Sequence, residues 1–173
     1  MQLMFALLQL TYFISGHSQT ANRSEYFQLS VVGNSGFCLD ISLPVWSRGS
    51  PLQVHGCHVD APSQMWMFQD GHLVSLAAPG QCLDGSADAQ IGQSLFLWDC
   101  NGYPQQNWEW DAKRYSRQTV FLSTMEEDAT RCMDILGGAA LGKGTGEVVI
   151  GDCTNAVVVG WHLKYSVDDL SLV

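Results

Sequence analysis

Hydrophobic positions in this 173-residue chain fall in short runs, with no long segment of the 3.6-residue period that marks an amphipathic helix. Past residue 25, apolar or alternating runs occupy residues 26–32, 37–41, 52–57, 65–69, 72–76, 95–100, 119–122, 148–151 and 161–165. Gly, Pro, Asn and Asp separate them, as in Val32-Gly33-Asn34-Ser35-Gly36 and Gln69-Asp70-Gly71. Runs of this length between turn residues predict an all-β chain, and Asp70-Gly71 predicts a two-residue hairpin turn.

The opening of the chain has a different pattern. Leu3-Met4-Phe5-Ala6-Leu7-Leu8 and Tyr12-Phe13-Ile14 make an apolar core too short to span a bilayer, followed by the small residues Gly16 and Ser18. This predicts a secretory leader over residues 1–18, and so a secreted, extracellular protein. The competing reading is a buried N-terminal strand or helix. Residues 19–24 form a polar segment whose Asn22-Arg23-Ser24 is a glycosylation sequon at Asn22. Residues 166–173 lie beyond the last patterned run and read as a tail.

Between these ends one grammar is written three times. Cys38-Leu39-Asp40, Cys57 and Gln64-Met65-Trp66 recur as Cys82-Leu83-Asp84, Cys100 and Gln106-Asn107-Trp108. They recur again as Cys132-Met133-Asp134, Cys153 and Val159-Gly160-Trp161, with the Gln lost. Such self-similarity marks a repeat architecture. Propellers need roughly four or more blades, so a closed three-unit β structure fits better. The unit boundaries read from the repeat are about 25–70, 71–112 and 113–165. The tryptophans, one per unit, are expected to fill the axis of that structure.

Six cysteines in three evenly placed pairs suit an oxidising compartment. Sequence alone allows fifteen connectivities; because each unit is self-contained, Cys38–Cys57, Cys82–Cys100 and Cys132–Cys153 are expected. Net charge is −9, with eight Lys and Arg against seventeen Asp and Glu. That balance argues against nucleic acid and anionic membranes as partners, and favours neutral ligands over acidic ones.

Cys-Leu-Asp, a cysteine about twenty residues on, and then Gln-x-Trp, in three aligned copies over residues 25–165, resembles the ricin B-chain (R-type) lectin family. The resemblance implies a β-trefoil of three four-stranded units. It also implies carbohydrate binding by a carboxylate, an aromatic plate and amides in each unit, with galactose or N-acetylgalactosamine on glycoproteins or glycolipids as the family's habit. Carried over by position, the second unit supplies Asp84, Trp98, Gln105 and Gln106, with Phe96 in place of a polar residue. The first supplies Asp40, Gln53, His55 and Gln64, with a smaller ring as its plate. The third keeps Asp134 but has Gly151 at the plate and Val158-Val159 at the amides, and is expected to be structural. The alternative for every Asp and Gln is that they satisfy turn and strand backbone groups.

Other classes fit less well. No metal-ligand pair at zincin spacing, nucleophile elbow or phosphate-binding Gly loop appears, so neither enzyme activity nor a cofactor is expected. His55-Gly56-Cys57-His58 hints at a metal, but Cys57 is expected to be oxidised. Glu126-Glu127-Asp128 reads as a solvated loop. A trefoil protein ligand, such as a protease inhibitor or signalling module, remains a competitor, since fold does not decide function. So does the binding subunit of a toxin-like or hydrolase assembly, whose partner would be a separate chain. Peptide mapping without reduction should return three cystine peptides, each from one unit; a cystine joining two units would overturn the repeat-based pairing.

Overall fold

The computed structural model describes residues 26–42, 46–111, 119–122, 130–137, 145–155 and 159–165. The expected leader (1–18), the 19–24 segment with Asn22, the 126–128 loop, Val158 and the 166–173 tail lie outside the described residues.

Among the described residues the fold has twelve strands. They are β1 Phe27–Val31, β2 Asn34–Ile41, β3 Leu52–Gly56, β4 Trp66–Gln69, β5 His72–Ser75, β6 Gln81–Asp84, β7 Phe96–Asp99, β8 Trp108–Asp111, β9 Thr119–Leu122, β10 Arg131–Ile135, β11 Gly146–Asp152 and β12 Trp161–Tyr165. Their ladders are antiparallel. The Asp70-Gly71 turn joins β4 to β5 with both residues at positive φ (50° and 82°), as the sequence led us to expect of this dipeptide.

The strands take two roles. Strands β1, β4, β5, β8, β9 and β12 form the barrel: β1 pairs with β12 and β4, β4 with β5, and β8 with β9. Trp108 N donates to Gly71 O (2.7 Å), holding β8 beside the β4–β5 turn. The hairpins β2–β3, β6–β7 and β10–β11 form the cap. They meet through equivalent residues, Leu52 N donating to Leu95 O (3.0 Å) and Leu95 N to Val148 O (2.9 Å). This is a β-trefoil.

Strand alternation puts the apolar set of every unit on one axis. Leu39, Leu83 and Met133 are fully buried, as are Val54, Leu97 and Ile150. Trp66, Trp108 and Trp161 sit among them, and each indole N–H finds a backbone acceptor. Trp66 Nε1 donates to Leu39 O (3.3 Å), Trp108 Nε1 to Leu83 O (3.0 Å) and Trp161 Nε1 to Met133 O (3.0 Å). In each unit the acceptor is the middle residue of the Cys-x-Asp triplet. Three disulfides, Cys38–Cys57, Cys82–Cys100 and Cys132–Cys153, tie the second strand of each group to the chain just after the third. Each closes a loop of about twenty residues, worth about 3 kcal/mol in the chain-entropy account.

Replacing Trp161 by Ala should cost about 3–5 kcal/mol, from the void and the orphaned Met133 carbonyl. Urea titration should show the midpoint falling with an unchanged slope. A loss below ~1 kcal/mol would mean that the indole is not part of the continuous core.

Candidate functional site

The register decides which side chains share a face. Asp84 pairs with Phe96 and Cys82 with Trp98, so Asp84, Phe96 and Trp98 stand together on the side of the β6–β7 hairpin away from the core. Asp40 pairs with Gln53 and Cys38 with His55, which repeats the arrangement in the first unit. Asp134 pairs with Val149 and Cys132 with Gly151 in the third.

Gln64 and Gln106, which the resemblance places among the amides of the sugar site, lie in the interior. Each ends a short 3₁₀ turn opened by proline, Pro62–Gln64 and Pro104–Gln106. That turn drives the side chain inward, and both residues are 0% exposed. Gln106 Nε2 donates to Asp84 Oδ2 (2.8 Å) and Asp99 O (2.9 Å), while its Oε1 accepts from Asn101 N (3.0 Å). Gln64 Nε2 donates to Asp40 Oδ2 (3.1 Å) and Gly56 O (2.8 Å), and its Oε1 accepts from His58 N (2.9 Å). With both donors spent, these amides brace the carboxylates and do not face solvent. Gln105 contributes its carbonyl, which accepts from Gly85 N (3.0 Å).

The two braced carboxylates differ in what they have left. Asp84 is 2% exposed, and its second oxygen accepts from Ser86 N (2.7 Å). Asp40 is 7% exposed, and its Oδ1 is buried with no hydrogen-bond partner among the described residues. A buried acceptor in that condition is costly unless something donates to it. Beside it, Gln53 borders a cleft of about 240 Å³ that continues to Ser42 and Glu147. His55, at the plate position, stacks on His58 with ring centroids 5.8 Å apart.

Trp98 is 36% exposed, with Phe96 edge-on to it at 5.9 Å. One residue near it was not anticipated from the sequence. Arg48 lies 4.6 Å from the Trp98 ring centroid, in cation–π geometry. The chain before β3 places it there, since Gly49 N donates to Leu97 O (2.7 Å) and Leu97 N to Ser50 O (2.9 Å). Arg48 also pairs with Asp99, which Gln81 Nε2 holds from the other side at 2.5 Å. The plate is therefore covered by a guanidinium. Arg48 sits in a connection outside the repeated grammar, so no repeat-based reading could find it.

In the third unit the half-buried Asp134 folds back onto the backbone. Its Oδ1 accepts from Ile135 N (2.8 Å) and Val159 N (3.0 Å), taking the backbone-bracing part that a glutamine plays elsewhere. The carboxylate crosses the space over Gly151, where a Cβ would stand 2.5 Å from Asp134 Cβ and 2.8 Å from its Oδ2. Glycine is thus needed there, and no plate can coexist with this aspartate. Nearby, Asp152 accepts from the side chain and the backbone N–H of Thr154, which hold its exposed carboxyl below the usual range.

Gly151→Ala should destabilise the protein by roughly 1–3 kcal/mol through overpacking. Adding Asp134→Ala should return part of that loss in a double-mutant cycle read by urea unfolding. Strictly additive losses would show that the two residues do not oppose one another.

The same fold occurs in sugar-bound and designed proteins of low sequence identity. The β-trefoil lectin of the Vibrio vulnificus hemolysin/cytolysin, solved with N-acetyl-D-lactosamine bound, is 19% identical, with a TM-score of 0.65 over 82% of this chain and 95% of that one. The C-half of an earthworm R-type lectin, in complex with GalNAc, is 14% identical, with a TM-score of 0.65 over 82% and 98%. A designed threefold-symmetric protein, ThreeFoil, is 18% identical, with a TM-score of 0.64 over 81% and 98%. No curated protein sequence matches the chain. The sequence model of the ricin-type beta-trefoil lectin domain matches residues 25–157, from before β1 to just short of β12, and with the fold and the triple Cys-x-Asp grammar in place the chain belongs to that family.

Proposed function

We propose that this protein is a lectin that binds neutral glycans of glycoproteins or glycolipids, through its second unit and, with a smaller plate, its first. The observation that carries this reading is the Gln–Asp brace, built identically in those two units and absent from the third. Such a brace fixes a carboxylate on the same face as an aromatic ring. A carboxylate accepts two neighbouring sugar hydroxyls, and the ring meets the C–H face of a pyranose.

Asp84 with Trp98 is the larger site, with Gln106 as the positioning residue beneath and Gln105 at its edge. Asp40 with Gln53 and His55 is the smaller, with Gln64 beneath. The unpaired Oδ1 of Asp40 supports a hydroxyl donor there. Galactose or N-acetylgalactosamine is the first sugar to test, on the family's habit and on the sugars bound to the two lectins of this fold. The acidic net charge supports neutral over sulfated ligands. Two sites on one chain would add avidity on a multivalent surface. The patterned leader and the three disulfides support a secreted protein.

In this reading a sugar at Trp98 must displace Arg48. The exposed cation–π contact is worth about 0.5–1 kcal/mol, so Arg48→Ala should tighten second-unit binding by about two- to fivefold. On a glycan array followed by calorimetry, Asp84→Asn and Trp98→Ala should each weaken binding by about tenfold or more. Binding that survives both changes would move the main site to Asp40 and His55. A folded, fully disulfide-bonded chain that binds no glycan would remove the lectin reading.

A further inference from the structure

One cleft lies apart from the braced carboxylates. It holds about 310 Å³ between the Asp70-Gly71 turn and the Cys82–Cys100 disulfide. Its apolar wall is Val74 and the disulfide, and its polar residues are Gln69, Asp70 and His72. At its rim are Gly80 and Gly102, where an added Cβ would meet no atom within 4 Å, so a ligand would lie directly against the backbone.

The chemistry of the cleft turns on His72. Its Nδ1 lies 3.0 Å from Asp70 O. A carbonyl oxygen only accepts, so Nδ1 carries the proton, and the Nε2 of the neutral ring is an acceptor. That Nε2 is buried and has no partner among the described residues. The group that would satisfy it is a donor, such as a hydroxyl.

The first unit serves as an internal comparison. Val74 pairs with Cys82 as Ser30 pairs with Cys38, which makes His72 the counterpart of Gln28. Gln28 Nε2 reaches across to His58 O (2.9 Å) and Gln64 Oε1 (3.1 Å), spanning the equivalent space with protein. His72 turns back to its own hairpin, and among the described residues it makes no hydrogen bond to the loop after Cys100. Among the described residues Gln106 Oε1 accordingly has one donor, Asn101 N, where Gln64 Oε1 has two. A side chain that spans the gap in one unit is replaced in the other by an open cleft with an unfilled acceptor.

We propose that this cleft is a second saccharide subsite, which takes a hydroxyl-bearing ring next to the sugar held at Trp98. Val74, Cys82 and Trp98 are successive partners across β5, β6 and β7, so they share one face. Two strand spacings, about 9–10 Å, separate Val74 from Trp98, with the disulfide between them. An oligosaccharide would engage both places and a monosaccharide only one. This selection by length rests on the second-unit lectin reading, whereas the hydroxyl-binding cleft at His72 does not.

The test is an NMR titration of the full chain with methyl galactoside and with lactose, following the Trp98 indole and the His72 ring nitrogens, beside His72→Gln and Trp98→Ala. His72→Gln installs the residue that the first unit uses, so it should fold and close the cleft. Lactose should move both reporters and bind wild type more tightly than methyl galactoside. His72→Gln should abolish that preference, weakening lactose by roughly five- to tenfold with methyl galactoside binding at Trp98 unchanged. A lactose preference that survives His72→Gln overturns the subsite. Shifts at Trp98 alone keep the lectin site and overturn the subsite. Shifts at His72 alone support the cleft and sink the second-unit reading, and no shift at either overturns both.

Discussion

One hydrogen bond, made three times, sets the geometry on which the rest of the protein depends. The indole N–H of Trp66, Trp108 or Trp161 donates to the carbonyl of the residue between Cys and Asp. A tryptophan buried on the axis of the trefoil needs an acceptor for its N–H, since an unpaired donor there is costly. Meeting that need ties the first residue of the fourth strand in each unit to the middle of the second. The middle residue then points to the core, as Leu39, Leu83 and Met133 do. Strand alternation sends its neighbours the other way, the cysteine to a disulfide and the aspartate to the outer face of the hairpin.

That coupling explains what was legible in the sequence. The triplet and the tryptophan recur together because they are parts of one contact, so the repeat pointed to a closed three-unit β structure and the positions of Asp40, Asp84 and Asp134, and the resemblance carried by those residues implied the trefoil. The depth of Gln64 and Gln106 was not legible for a physical reason. The repeat places each two residues before a tryptophan but fixes no side-chain direction; in the structure they end a proline-led 3₁₀ turn, which does not follow the strand period. Gly151 read as a lost plate, and the structure adds that the space is needed by Asp134. Arg48 was out of reach altogether, because its partner Asp99 lies 51 residues on in another unit.

The core is nearly threefold and the outer face is not. Each unit holds its aspartate differently: Asp40 with one oxygen unpartnered among the described residues, Asp84 with both oxygens engaged, Asp134 folded back on the backbone. The indole contact is indifferent to these differences, since it uses the triplet's backbone and leaves the aspartate side chain out. The outer face of a unit could thus change while the contact that closes it stayed. A repeat of this kind keeps the position of the carboxylate more faithfully than its use. For that reason Asp134 persists where the plate and amides are gone, and an aspartate in the triplet is poor evidence of binding by itself.

The same independence gives the second unit its character. Arg48 belongs to the first unit's connection, and it reaches Trp98 only because the trefoil cap pairs Gly49 and Ser50 with Leu97. Its charge is met by Asp99, which Gln81 holds from behind. A free guanidinium beside an aromatic plate would favour anionic sugars. One already paired with a fixed carboxylate favours them much less and instead competes for the ring face. The cover is also cheap to move, being exposed and held by a surface ion pair of small worth. A neutral ring that stacks on Trp98 has only to push the guanidinium aside, and Asp99 remains to hold it at the rim. In the lectin reading proposed above, the acidic chain and the paired Arg48 at the plate favour the same class of ligand.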